Sequence, residues 1–312
     1  MTTTILRTAD AWYVATSGRA ARIATSAQTT AELLDEPAAV TTAGASSDTV
    51  PVSSLDLTSP VTAPCRVVAQ MTNFVSHAQD AGLDPESVPL TFFRKTSGSI
   101  SGPYDDVIRP AHVRLLDYEV EIGLVFGRSM PVGTSITEDN LTDYIAGLVI
   151  TNDISARDVQ LPKTQFYEGK SYPTFTPVGP ALVLVEADEL KRFGDLRLWL
   201  SVNGEVRQDN TVADMIYPPV QALQALSRFQ RMDPGDLLLT GTPVGTALSA
   251  PPKPVEIIAA LLPPAVKWRL FFKAQAKNMK YLQEGDVVEA TIGTDDSAIE
   301  LGSQRTTVRW TR

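Results

Sequence analysis

One cysteine, Cys65, and two histidines, His77 and His112, are the whole supply of thiol and imidazole in 312 residues. A single cysteine excludes an internal disulfide and agrees with a reducing compartment. A thiolate nucleophile has only Cys65 to use, yet its neighbourhood, APCRVV, holds no histidine and reads as the start of a strand, so packing is the competing role. Two histidines argue against a histidine-built zinc site. No apolar run approaches about 18 residues and the first residues lack a basic-then-apolar secretion signal; the expectation is a cytoplasmic chain with no membrane partner. Lys and Arg form no block, and 27 of them against 36 Asp and Glu give a net charge of −9. That balance argues against a nucleic-acid surface and means that an anionic substrate would need a local positive site.

What the chain does have is short apolar segments punctuated by Pro and Gly. AWYVATSGRAARIA reads as a hairpin turning at Ser17 and Gly18, and TTAELLDEP as a brief capped helix ending before Pro37. AVTTAGASSDTVPVSS is small, polar and poorly periodic, a connection rather than an element. A small N-terminal domain with its linker is expected over 1–62 and a main domain over 63–312. In the main part, strand-like pieces recur at CRVVAQM, LTFFRK, LLDYEVEIGLVF, YIAGLVITND, GPALVLV, DLRLWLSVNG, DLLLTGTP and DVVEATIG, with helices expected over 73–81, 138–145 and 211–229. That proportion predicts a β-rich α+β fold, not regular βαβ units. The 249–284 stretch, with Pro-rich turns around an apolar and basic helical run, reads as a subunit contact, an active-site cover or a solvated helix face, with a membrane-touching segment as the weaker alternative.

Within LLDYEVEIGLVF, Leu116, Tyr118, Val120, Ile122 and Leu124 alternate with Asp117, Glu119, Glu121 and Gly123. A strand sends the first set to a core and the carboxylates to the opposite face. Glu119 and Glu121, about 7 Å apart along one face, can converge on a cation held at about 2.1 Å. The alternative is an acidic face that is simply wet. YIAGLVITND then ends an apolar strand at Asp153, followed by Arg157 and Gln160. Arginine supplies a two-pronged carboxylate binder, although Arg157 pairing with a structural carboxylate and Gln160 holding a loop remain open. Glu119, Glu121 and Asp153 together make an all-oxygen site suited to Mg2+ or Mn2+, with Ca2+ also admissible.

LDYEVEIGLVFGR, ITNDISARDVQ, EGKSYPTFTPVGP, LWLSVNGEVRQ, MIYPP and DLLLTGTPVGT, in that order, resemble the fumarylacetoacetate hydrolase superfamily, especially its acylpyruvate hydrolase and oxaloacetate decarboxylase branch. The resemblance covers residues 65 to 310 and implies a mixed β-roll, a Mg2+ or Mn2+ centre, a homodimer and cleavage of a carbon–carbon bond beside a ketone in a small-molecule substrate. It makes Glu119, Glu121 and Asp153 the metal ligands and places Arg157, Gln160, Lys170 and Thr242 around the substrate.

Local chemistry can be set beside those roles. Lys170 is a cation able to stabilise an enolate, or else a surface turn lysine. Tyr172, in the same segment, joins the substrate-binding set. Gly241 and Thr242 form a tight strand exit where a backbone N–H or the threonine hydroxyl can meet a substrate oxygen. Lys95 reads either as a substrate contact or as a solvated strand end, and His112 as a structural or rim residue. His77 and Asp80, three residues apart, read as a dyad in which Asp80 orients His77 and favours its protonated form; the other reading is an exposed helix-cap pair. In the related enzymes an acidic residue follows the histidine at this spacing, commonly glutamate, and Asp80 is shorter. The expected reaction is metal-dependent hydrolysis of an acylpyruvate or related β-diketone by a water that His77 activates. Oxaloacetate-type decarboxylation, lyase or dehydratase chemistry on a sugar-derived 2-keto acid, and a non-enzymatic metal-binding role are the alternatives.

Overall fold

Alternating apolar residues build two sheets whose facing sides enclose most of the core. The computed structural model describes residues 2–163, 165–251 and 253–311. The larger sheet has ten strands in the order Val50–Pro51, Arg19–Arg22, Trp12–Thr16, Thr3–Arg7, Ala181–Leu184, Ile145–Asn152, Val120–Phe126, Leu237–Leu239, Val67–Gln70, Phe92–Lys95. A five-stranded sheet runs Glu205–Thr211, Leu196–Val202, Val287–Thr294, Glu300–Trp310, Val107–Arg109. Val120, Ile122 and Leu124 from the first sheet and Leu198, Leu200 and Ile292 from the second share one buried cluster. On the other face of the large sheet, Val125, Val149 and Leu182 pack with Leu33, Val40 and Ala43 from two N-terminal helices. The strands Thr3–Arg7, Trp12–Thr16 and Arg19–Arg22 are thus hydrogen-bonded into the same sheet as the rest, through pairing of Thr3–Arg7 with Ala181–Leu184.

The hairpin at Ser17–Gly18 forms as the sequence predicts, with both residues at positive φ, the geometry its tight turn requires. The Thr30–Leu34 helix carries a complete capping box between Thr29 and Glu32. Pro37 does not close the helical region, however: it opens a second helix, Pro37–Gly44, where a connection is expected, because proline suits the first turn of a helix and Val40 and Ala43 find buried positions. The expected helix over 211–229 is a 3-10 turn at Val212–Asp214 and an α-helix only at Pro219–Ser227, separated by residues 215–218. The 138–145 stretch is a 3-10 segment, Glu138–Asp143, and the 73–81 helix covers Val75–Asp80.

The acidic strand is broken, a departure from the continuous alternation read from its sequence. Leu116–Asp117 pairs with Ser155–Ala156, whereas Val120–Phe126 pairs with Ile145–Asn152. Both chains therefore leave the large sheet at one corner, with Glu119 and Asp153 at the bend. Asp153 N–H donates to the Glu119 carbonyl at 2.8 Å, and Glu119 N–H to Asn152 Oδ1 at 2.9 Å, which ties the two bends together. No helix among the described residues is long and apolar enough to cross a membrane.

Candidate metal centre and the cavity above it

The corner collects carboxylates that are almost wholly buried. Asp117 and Asp153 are 0% exposed, Glu121 2% and Glu119 5%, which removes the wet-face alternative. Glu119, Glu121 and Asp153 each offer an oxygen within 4.8 Å of the others, as one shared cation requires. Asp117 stands apart: its Oδ2 accepts from Arg157 Nε at 2.8 Å, and its two oxygens accept from Ala247 N–H at 2.7 Å and Leu248 N–H at 3.0 Å.

Three buried cations answer these charges. Arg157 also donates to Glu119 Oε1 and, at 3.0 Å, to Gln160 Oε1. Lys170 bridges Glu119 and Asp153, and Lys95 meets Asp153 and the Phe175 carbonyl. Lys95 is therefore not a solvated strand end; its ammonium is spent on a carboxylate. Burial lowers its pKa, against the opposing pull of Asp153. Burial also acts against the charged Lys170, but Asp153 and Glu119 outweigh it and hold the ammonium above its ordinary value. Glu119 is desolvated too, yet Arg157, Lys170 and His77 bring it below the usual carboxylate range.

Glu121 is the exception. Among the described residues it forms no ion pair; Oε2 accepts only the Gly241 N–H, at 2.7 Å. Burial, then Asp153 and Glu119, push its pKa well up. Four carboxylates against three cations, with the unpaired one beside two others, leave an excess of negative charge that a divalent cation would neutralise. The donor set thus fits a hard oxygen-loving ion, with Glu119, Glu121 and Asp153 as the residues that would hold it.

Gly241 shows why the sequence turns as it does there. Its φ is +86°, and a Cβ would lie 2.8 Å from that of Asn73. Asn73 in turn donates to the Thr240 carbonyl at 2.8 Å and to the Tyr217 carbonyl at 3.1 Å, fixing the start of the segment that carries His77. The donors expected to meet substrate here are already engaged: Gly241 N–H by Glu121, and Thr242 Oγ1 by the Val120 carbonyl at 2.9 Å while it accepts from Gln208.

A cavity of about 1140 Å³ opens above the corner, lined at its base by Glu119, Glu121, Asp153, Arg157, Gln160 and Lys170 and at its side by His77. The His77–Asp80 dyad expected from spacing does not form. Asp80 is exposed at the end of its helix and no hydrogen bond joins the pair, while His77 Nδ1 is buried with no partner. Nor is the imidazole held protonated: burial lowers its pKa, Arg157 and Lys170 add to that, and Glu119 and Asp117 only oppose it. Spacing at i,i+3 brings two helical residues to one side but does not turn both side chains the same way.

Tyr172 is placed elsewhere, its hydroxyl 2.8 Å from His112 Nε2 and 3.3 Å from Glu168 Oε1, outside the residues lining this cavity. Cys65 packs at the edge of the second core, its thiol pushed up to about 12 by burial and by Asp236, so it offers no nucleophile at neutral pH. Sequence reasoning passed over Gln70, which lines the cavity and whose buried Oε1 has no partner. Its only signal is a polar residue ending the apolar strand CRVVAQ.

Residues 66–309 match the family described as fumarylacetoacetate (FAA) hydrolase C-terminal. "Oxaloacetate tautomerase Fahd2a, mitochondrial" from Rattus norvegicus is 35% identical over 204 residues, 65% of this chain and 63% of that protein. "Oxaloacetate tautomerase FAHD2A, mitochondrial" from Homo sapiens is 34% identical over 205 residues, with the same two shares of 65% and 63%. The chain thus spans about 63% of the length of the curated relatives it matches first. The crystal structure of "a probable 2-hydroxyhepta-2,4-diene-1, 7-dioateisomerase" from Mycobacterium abscessus superposes with a TM-score of 0.76 at 29% identity, covering 100% of both chains. The superfamily resemblance and the strand-rich α+β class read from the sequence are both borne out. The cytoplasmic expectation is not: both mammalian relatives are named as mitochondrial.

Proposed function

This chain belongs to the fumarylacetoacetate hydrolase family, and we propose that it is a divalent-metal-dependent enzyme that interconverts the keto and enol forms of a small 2-keto acid of the oxaloacetate type. The observation that carries the reading is the combination at one corner of the sheet: three buried carboxylates, Lys170 between two of them, and an imidazole left unpaired beside the same cavity. A Mg2+ or Mn2+ ion held by Glu119, Glu121 and Asp153 would supply Lewis acidity toward the keto oxygen. Lys170, kept protonated by its two carboxylates, adds positive charge where an enolate develops. His77, whose lowered pKa favours the neutral ring, takes a proton from the carbon next to the ketone. Return of a proton to the enolate oxygen completes the exchange, with no water consumed and no carbon–carbon bond broken.

Hydrolysis, the reaction first expected, asks more of the site: a water held and deprotonated by an oriented His77, for which Asp80 gives no support. The names of the relatives, two tautomerases and an isomerase, favour proton transfer as well. The test is hydrogen–deuterium exchange at C3 of oxaloacetate in heavy water, followed by NMR with added Mg2+ or Mn2+ and again after chelation. Metal-dependent exchange without carbon dioxide or new acid supports tautomerisation. Carbon dioxide release in step with turnover assigns decarboxylation instead, acid release from an acylpyruvate assigns hydrolysis, and no metal-dependent reaction of any kind removes the enzymatic reading.

A further inference from the structure

At about 1140 Å³ the cavity exceeds the roughly 300–1,000 Å³ that encloses a drug-sized ligand, and a four-carbon diacid would fill little of it. Its two ends differ in chemistry. The base is charged and buried, whereas the wall rising from it is made by Phe93, Phe166, Leu262, Trp268 and Phe271. Phe93 and Phe166 meet edge to face at 5.5 Å, and Lys170 Nζ lies 5.2 Å from the centre of the Phe93 ring, so the aromatic lining starts at the reactive end. The helix Pro264–Gln275 continues it from above. Trp268 stacks on Phe272 at 5.6 Å and meets Phe271 edge-on at 5.8 Å, yet Trp268 and Phe271 remain only partly buried. Rings braced against one another and still facing open space present an apolar surface at low entropic cost.

We infer that Leu262, Trp268 and Phe271, with Phe93 and Phe166, form a subsite for an apolar substituent, so that the preferred substrate is an extended 2-keto acid whose charged head sits at the carboxylate corner and whose alkyl or aryl tail runs along Trp268 and Phe271. A second carboxylate on the tail fits less well. The cations lining that end are Lys267 and Lys277, both exposed to screening solvent, and Lys267 Nζ lies 5.3 Å from the centre of the Trp268 ring. The inference rests on the function proposed above for the head group.

The experiment uses the full chain with Mn2+ and a series of 2-keto acids: pyruvate, oxaloacetate, straight-chain homologues up to 2-oxodecanoate, phenylpyruvate, and tail-carboxylated acids of matched length. Binding is read by calorimetry and C3 exchange by NMR. Affinity is expected to rise about threefold to fourfold per added methylene while the tail is being buried. Trp268→Ala and Phe271→Ala should each weaken the longest acid about tenfold or more relative to pyruvate, and Trp268→Phe should keep most of the preference. A flat series, a preference for the tail-carboxylated acids, or unchanged selectivity in both alanine variants overturns the subsite. The two readings fail separately. Exchange of oxaloacetate with no length dependence sinks the subsite alone; length-dependent binding without exchange of any acid supports the subsite and sinks the tautomerase.

Discussion

The base of the cavity and its cover are built by opposite rules. At the base, charges are buried and held by named partners, and the backbone bends that carry Glu119 and Asp153 are hydrogen-bonded to each other. In the cover, large apolar residues face solvent: Leu261 is 83% exposed and Ile257 68%. Proton transfer needs groups fixed to within fractions of an ångström, whereas accommodating a tail needs area and some give. Under the function proposed above, a charge network that cannot move without losing its partners would meet the first need, and the helices of the cover the second.

The comparison is broken most directly at the ion. Glu121→Gln and Glu119→Gln should each reduce Mn2+ affinity by more than about 100-fold, since even groups one layer behind a metal typically account for 10- to 100-fold; calorimetry checks this, and unchanged affinity would sink the ligand set. His77→Ala should lower turnover by about 10²- to 10⁴-fold with the ion retained. Asp80→Ala, lacking any hydrogen bond to His77, should change turnover only a few-fold, and equal losses in the two variants would restore the dyad.

Asp117→Asn should destabilise the fold by about 3 kcal/mol, because it leaves the buried Arg157 guanidinium short of one of its carboxylates. Its denaturant midpoint should fall while a Leu261→Ser variant moves by no more than about 0.5 kcal/mol, as an exposed side chain should. Hydrogen exchange gives the same contrast without mutation: amides of Ile145–Asn152 should exchange last and those of Pro264–Gln275 among the first. Equal protection would mean that base and cover form one rigid unit.

The sequence revealed the base far better than the cover. A period of two in DYEVE, and an aspartate directly after an apolar strand, were enough to single out Glu119, Glu121 and Asp153, although the structure gathers them at a bend and not along one continuous strand. Side-chain direction beyond regular backbone was not legible. Nothing in EGKSYPTF turns Tyr172 toward His112 and away from the cavity, and nothing in VSHAQD separates His77 from Asp80. Strands without apolar alternation were missed as well: Glu205–Thr211 is polar throughout its inner half, yet it supplies Gln208, which accepts from Val120 N–H at 3.0 Å and donates to Thr242 Oγ1 at 2.7 Å. The break in the acidic strand left no mark in its composition, since the alternation runs straight through it.

Asp117 stands outside the three carboxylates that share the candidate metal centre, and its position gives it a further consequence. The same carboxylate holds the backbone at Ala247 and Leu248, where the chain sets off toward the cover, and the guanidinium that grips Glu119. A ligand that shifted the root of the cover would therefore change the field at Glu119, one of the residues proposed to hold the ion. By thermodynamic reciprocity the ion must alter affinity for that ligand by the same factor. Titrating each in the presence and absence of the other reads that coupling, and Asp117→Asn should bring it toward zero: through one aspartate, the proposed head-group chemistry and tail recognition would become a single equilibrium.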